Sequence, residues 1–185
     1  FGAVVIAAWV VCALFPGLVT PYDPIFDNHF PPSETPSWGH PFGTDTNGRD
    51  VFSRVLAGSR NVLLIAPAAT LLGTVLGTML GLITGYLRGV VDDVTSRLID
   101  AILSLPLIVT AILIVTAVGN SSTWVVVLII GFIFTPVVSR TVRAAVLSEA
   151  ELDYVQAARL RGERSSYIMG AEILPNVMSP VVVEF

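Results

Sequence analysis

Long uncharged runs alternate with short polar stretches along the whole 185-residue chain. Residues 1–19 carry no charged side chain, nor do 62–87, 101–118, or 124–139 ahead of Arg140. A helix needs about 20 apolar residues to cross a hydrocarbon core about 30 Å thick. Each run approaches that length, the last when counted from Asn120. The pattern predicts four transmembrane helices, over 1–19, 62–87, 101–118 and 120–139. Four such runs in one chain of this size argue against buried helices of a soluble core. The Gly119–Thr123 stretch between the last two reads as a turn.

The polar stretches differ in kind. Residues 20–61 begin with turn and extended signals, six prolines among them. Within them GTDTNGRD is turn chemistry, with Asp45 or Thr46 as a cap for the next helix. Near 50–57 the spacing predicts a short interfacial helix, with Val51, Phe52, Val55 and Leu56 on one face and Asp50, Ser53 and Arg54 on the other. The second run carries Gly73, Gly77, Gly81 and Gly85 at every fourth position, a ridge of small residues that lets another helix approach closely. A seam within the chain and a seam against another membrane subunit both fit that ridge, the first being the plainer reading. Pro67, Pro106 and Pro136 fall inside three of the runs, where they can kink a helix.

After the fourth run comes SEAELDYVQAARLRGERSSYIMGAEILPNV. Ser148 is placed to cap a helix, with Glu149, Glu151 and Asp153 in its first turn and Arg159 and Arg161 in its last. Gly162 stands where a left-handed residue ends a helix. Ser165 or Ser166 restarts one, and Pro175 marks a return toward the membrane. The reading is a helix–glycine–helix elbow over 148–175. Small Ala157 and Ala158, with apolar Val155, Leu160, Tyr167 and Ile168, are rimmed by Arg159, Arg161, Glu163 and Arg164, as in a docking knob.

Composition sharpens the picture. The chain is 54% apolar and 13% charged with mean hydropathy +0.79, against about 25% charged for a globular domain. All 10 basic residues are Arg. Without Lys there is no Walker-type nucleotide loop and no lysine Schiff base, and no basic run suits nucleic acid. The lone Cys12 excludes an intrachain disulfide. His29 and His40, 11 apart in a Pro-rich loop, read as solvated residues and form no metal site. Seven Arg on the side of the 88–97 and 140–164 stretches, against three on the side of loop 20–61, place the elbow in the cytoplasm and the long loop outside. No span carries a charge in its interior, which weakens a proton- or voltage-driven mechanism. An intramembrane hydrolase would need a base beside Ser104 or Thr110, and both histidines lie in the loop. A stand-alone secondary carrier would need no elbow. Opening in an apolar run and closing on PVVVEF at the start of another, the chain is expected to be a piece of a longer protein.

The elbow resembles the EAA motif of ABC importer permeases: Glu-Ala-Ala, three residues, Gly, nine residues, then hydrophobic-x-Leu-Pro. The matching positions are Gln156, Ala157, Ala158, Gly162, Leu174 and Pro175, with Gln156 in place of Glu and Glu172 in place of the hydrophobic residue. HPFGTDTNGRDVFSRVLAGSR, from His40 to Arg60, is similar to the outer-loop signature of the C-type subunit in the oligopeptide/dipeptide/nickel branch, on Gly43, Asp45, Gly48, Arg49 and Asp50. GYLRGVVDDVTSRLIDAILSLP is similar to the stretch joining that subunit's second and third spans. The resemblance implies an all-α polytopic protein of the bacterial inner membrane, with four of six expected spans in this stretch and a fifth starting at 176–185. It implies an importer of di- or oligopeptides; nickel or glutathione is the alternative, and peptide is favoured because the spans offer no metal-ligand set. Its partners would be a B-type permease subunit, two ABC ATPase subunits, an extracytoplasmic substrate-binding protein and membrane lipid, with ATP and Mg held by the ATPases and no cofactor on this chain. Gln156, Ala157, Ala158, Arg159, Leu160, Gly162, Leu174 and Pro175 would then couple to the ATPase rather than catalyse anything.

Overall fold

The computed structural model describes residues 1–27, 29–119 and 122–185. Among these the chain is helical without strands, apart from an isolated antiparallel bridge between Thr44 and Asp50. The helices are α1 (Gly2–Leu14), α2 (Pro16–Val19), α3 (Val51–Leu87), α4 (Gly89–Leu103), α5 (Leu107–Val118), α6 (Thr123–Glu149), α7 (Asp153–Leu160), α8 (Ser165–Asn176) and α9 (Met178–Glu184). Two compact units divide between Ala66 and Pro67.

Among the described residues, α3 and α6 alone are individually long and apolar enough to cross a membrane; α4 with α5, and α8 with α9, qualify as pairs bent by 85° and 68°. The expected span over 1–19 is broken at Phe15 (φ −127°, ψ 56°), because the ring of Pro16 disfavours helical geometry in the residue before it. Its main helix is therefore 13 residues long, about 20 Å. The expected 101–118 helix divides at Ser104–Pro106, since Pro106 cannot donate the next helical hydrogen bond and pushes Leu105 out of the helix. Residues 101–103 belong instead to α4. Pro67 and Pro136, by contrast, stay within continuous helices. Residues 120 and 121, in the expected 119–123 turn and at the expected start of the fourth span, lie outside the described residues, and α6 is seen from Thr123. It continues ten residues past Ser139, to Glu149.

The glycine ridge of α3 packs on α6 of the same chain. A Cβ at Gly77 would lie 2.6 Å from Val138 Cβ, one at Gly81 2.7 Å from Val142 Cβ, and one at Gly85 2.8 Å from Val146 Cβ. Gly73 faces the Gly131 carbonyl, and Gly131 in turn faces Leu72. Residue numbers rise together along both helices, so this stretch of α3 runs parallel to α6. Parallel neighbours need a return between them, and α4 and α5 supply it. The polar side of α4 is fastened to α6: Arg143 Nε and Nη2 donate to the two Asp92 carboxylate oxygens at 2.5 and 2.6 Å, Ser96 Oγ donates to Asp92 Oδ1 at 3.1 Å, and Arg140 pairs with Asp100.

Candidate functional site

The elbow begins later than its sequence suggests. Ser148 lies inside α6 and caps nothing, because the apolar period of α6 carries the helix through to Glu149. A turn over 150–152 follows, and α7 starts at Asp153 after Leu152 in extended geometry. Gly162 then adopts φ +76° and allows the Glu163 amide to donate to the Ala158 carbonyl at 3.2 Å. The chain re-enters a helix at Ser165. Residues Ile168–Ile173 of α8 form a π-helical turn just ahead of Pro175, a widening the sequence pattern does not reveal and one that recurs at functional sites.

One apolar cluster joins this elbow to the membrane helices. Val155, Ala158 and Ile173 are wholly buried and Ile168 nearly so, packed in one core with Val142 and Val146 of α6 and with Leu82 and Tyr86 of α3. Burying a Val or Ile side chain contributes about 1.5–3 kcal/mol, so the elbow is a fixed extension of the helix pair. The expected knob is therefore corrected in part. Ala158 and Val155 face inward, because α7 is amphipathic and turns its Val155–Ala158 edge to the core, and Ile168 of α8 is buried in the same core. Gln156, Ala157, Arg159 and Leu160 remain exposed on α7, Leu160 to 89%. Leu174 and Pro175 belong to α8, Leu174 half-buried against the same core and Pro175 exposed.

Polar contacts lock the elbow's shape. Tyr154 Oη donates to Glu149 Oε1 at 2.7 Å and accepts from Asn176 Nδ2 at 3.1 Å. Burial and the Glu149 carboxylate push the Tyr154 hydroxyl up to about 12, so it stays a neutral donor at physiological pH. Both departures from the motif are accommodated locally. Gln156 Nε2 donates to the Ala150 carbonyl at 3.2 Å, and Glu172 accepts from Arg161 Nη2 at 3.3 Å. A carboxylate at the motif's hydrophobic position thus holds α7 and α8 together. Arg159 lies over the Tyr86 ring, its Cζ 4.7 Å from the centroid.

The signature residues of loop 20–50 form a second, separate construction. Asp50, not Asp45 or Thr46, caps α3: its Oδ2 accepts from the Ser53 amide at 2.7 Å. Asp45 instead closes the preceding turn, accepting from the Asn47 and Arg49 amides at 2.8 and 2.9 Å and pairing with Arg54, with Gly48 at φ +70°. Gly43 sits at φ +73°, and a Cβ there would fall 2.2 Å from the Glu34 carbonyl oxygen, so a side chain cannot fit. On the polar side predicted at 50–57, Arg54 is exposed but Asp50 and Ser53 are not. Both are buried, Val55 is exposed, and the segment is the first two turns of α3 rather than a separate helix. His40 also departs from its expected solvation, whereas His29 is exposed. His40 is 8% exposed, packed by Tyr22 and Phe30, with Nδ1 3.0 Å from Asp50 Oδ1. Burial opposes the charge on Asp50, but hydrogen bonds from Ser53 and His40 outweigh it and hold the carboxyl below its ordinary 3.8. Among the described residues no three His, Cys, Asp or Glu gather as a metal site.

The sequence model of the family described as binding-protein-dependent transport system inner membrane component matches residues 77–185, with Gly77, Gly81 and Gly85 of the seam and the whole elbow included. The chain belongs to this family. Similar proteins include the dipeptide transport system permease protein DppC of Escherichia coli K12, 38% identical over 197 residues and covering 99% of this chain and 64% of the relative. The di/tripeptide transport system permease protein DppC of Pseudomonas aeruginosa is 35% identical, with 95% and 59% covered. The dipeptide transport system permease protein DppC of Alkalihalophilus pseudofirmus is 34% identical, with 99% and 60% covered. The chain spans about three fifths of the length of such relatives. This inner membrane component is thus an all-α, multi-pass protein of the bacterial inner membrane.

Proposed function

We propose that this permease component forms half of the membrane path of an ATP-driven importer of di- and oligopeptides. Its α7–α8 elbow faces the cytoplasm and receives an ATPase subunit that binds ATP and Mg. A second, B-type permease subunit completes the path, a second ATPase serves it, and an extracytoplasmic binding protein delivers cargo. The names of the relatives support the peptide class. The observation that carries the coupling role is the division of α7. Its Val155–Ala158 edge is buried in a core shared with α3 and α6, while Ala157 and Leu160 are offered to a partner.

Closing of the ATPase pair on ATP would displace the elbow as a rigid body, moving the attached helices between two arrangements. Ala157→Arg and Leu160→Asp alter only the exposed face. In the reconstituted system either variant should retain at most a tenth of wild-type peptide uptake. Uptake at the full rate in both refutes the coupling role. Ala158→Arg is a poorer test, because it places a charge in the core and disrupts the elbow itself.

A further inference from the structure

We propose that the cleft beside α7 accepts a carboxylate side chain of the docked ATPase subunit, with Arg159 as its anchor; this rests on the docking reading above. The cleft has a volume of about 490 Å³ and is walled by Tyr86 and Arg88 at the end of α3, Ala150 and Glu151 in the turn, and Gln156 and Arg159 on α7. Two guanidinium groups share it with one carboxylate. Glu151 is already engaged, its Oε1 accepting from Arg88 Nη2 at 3.1 Å, and the same nitrogen reaches the Leu147 carbonyl at 3.3 Å. Arg88 is held there from a backbone φ of 54°, a conformation rare outside glycine.

Arg159 has no such partner. Among the described residues no carboxylate lies within ion-pairing distance of it. Its face rests on Tyr86 and its Nε donates to Tyr86 Oη at 3.3 Å. That fixes the plane of the guanidinium and leaves its two terminal nitrogens open, the geometry that suits a bidentate carboxylate. The departure from the motif points the same way. A Glu at 156 would stand three residues before Arg159 on the helix, the spacing at which opposite charges pair. Gln156 is neutral and turns its amide to the Ala150 carbonyl instead. Because Gln156 and Arg159 border both the cleft and the exposed face of Ala157 and Leu160, a subunit covering that face covers the cleft as well.

The test is binding of purified ATPase subunits to the full permease pair in lipid nanodiscs, titrated across NaCl concentrations, for wild type, Arg159→Gln, Arg159→Glu and Leu160→Asp. Arg159→Gln should weaken binding about tenfold and flatten the salt dependence. Arg159→Glu should weaken it further and be rescued by reversing an acidic residue on the ATPase surface. Unchanged affinity and salt slope in Arg159→Gln, while Leu160→Asp abolishes binding, overturns the carboxylate assignment and leaves docking standing. Intact binding in Leu160→Asp as well overturns both.

Discussion

Gly81→Ala places one methyl group in the middle of the close seam between α3 and α6. Its Cβ would lie 2.7 Å from Val142 Cβ and 2.9 Å from both the Arg143 nitrogen and the Ser139 oxygen. Non-bonded carbons prefer about 3.5–4.0 Å, so the overlap is on the order of 1 Å. None of the three opposing atoms can rotate away, since two are backbone and the third is a β-carbon. The helices must separate along the seam, and overpacking of this kind costs about 1–3 kcal/mol. Alanine also gains up to about 1 kcal/mol over glycine in helix propensity, which masks part of the loss. Gly58→Ala isolates that gain, because it lies in the same helix with nothing within 4 Å of its added Cβ. At about 2–4 °C per kcal/mol for a chain of this size, the purified Gly81→Ala protein should melt about 2–12 °C below Gly58→Ala. Adding Val142→Gly removes the carbon–carbon clash but neither backbone contact, so it should restore only part of the difference. A Gly81→Ala protein melting at or above Gly58→Ala refutes the parallel seam.

Two further outcomes rest on the ion pairs. Asp50 holds a folded-state pKa below 3.8, so its stabilisation of the loop is present above the unfolded value and is lost as pH falls through the lower folded one. Limited proteolysis should therefore find residues 20–50 protected at pH 5 and progressively cut below about pH 4; in Asp50→Asn protection should start lower and change little over that window, and an identical acid profile would remove Asp50 from the account. For α4, a double-mutant cycle with Asp92→Ala and Arg143→Ala should give a coupling of roughly 1–2 kcal/mol in unfolding experiments, the pair being bidentate but partly open to solvent. Strict additivity would mean that the clamp holds nothing.

Which features could be read from the sequence depends on whether one segment or two were needed to see them. The glycine ridge, the left-handed Gly162 and the restart at Ser165 are local, and periodicity or backbone chemistry exposes each. The cap at Asp50 is local too, since an acidic residue directly before an apolar run is a usual cap position, but Asp45 and Thr46 offer the same chemistry a few residues earlier. The buried state of His40 was not legible, because it depends on Tyr22, Phe30 and Asp50 arriving from three parts of the loop. The same holds for Ala158. Alternation along α7 suggests a face, but only the position of Val142 and Val146 decides which side is inward. Asp92, Ser96 and Asp100 recur every fourth residue, a stripe that announces a polar face on α4 without naming Arg140 and Arg143 as its partners.

The packing also determines where the molecule can yield if α7 is pushed. Between α7 and the membrane helices there is no solvent layer: Val155 and Ala158 are fully buried in one core with Val142 and Val146, and those valines meet the glycines of α3 at close range. Close-packed interiors compress little, and a seam lined by glycine has no side-chain rotamers to absorb a shift. The elbow, α6 and the facing stretch of α3 must then move together. The Ser104–Pro106 break is different, with a missing amide donor, half-exposed Leu105 and an 85° bend. Both helices it joins keep to α6, α4 through the Arg143 and Arg140 ion pairs and α5 by packing along it, so the break is the point at which their mutual angle is set. In the proposed importer, a push on the elbow would reach α4 and α5 through α6, and a disulfide placed across the Ser104–Pro106 break should then abolish peptide uptake while ATPase binding to the permease pair stays at the wild-type level.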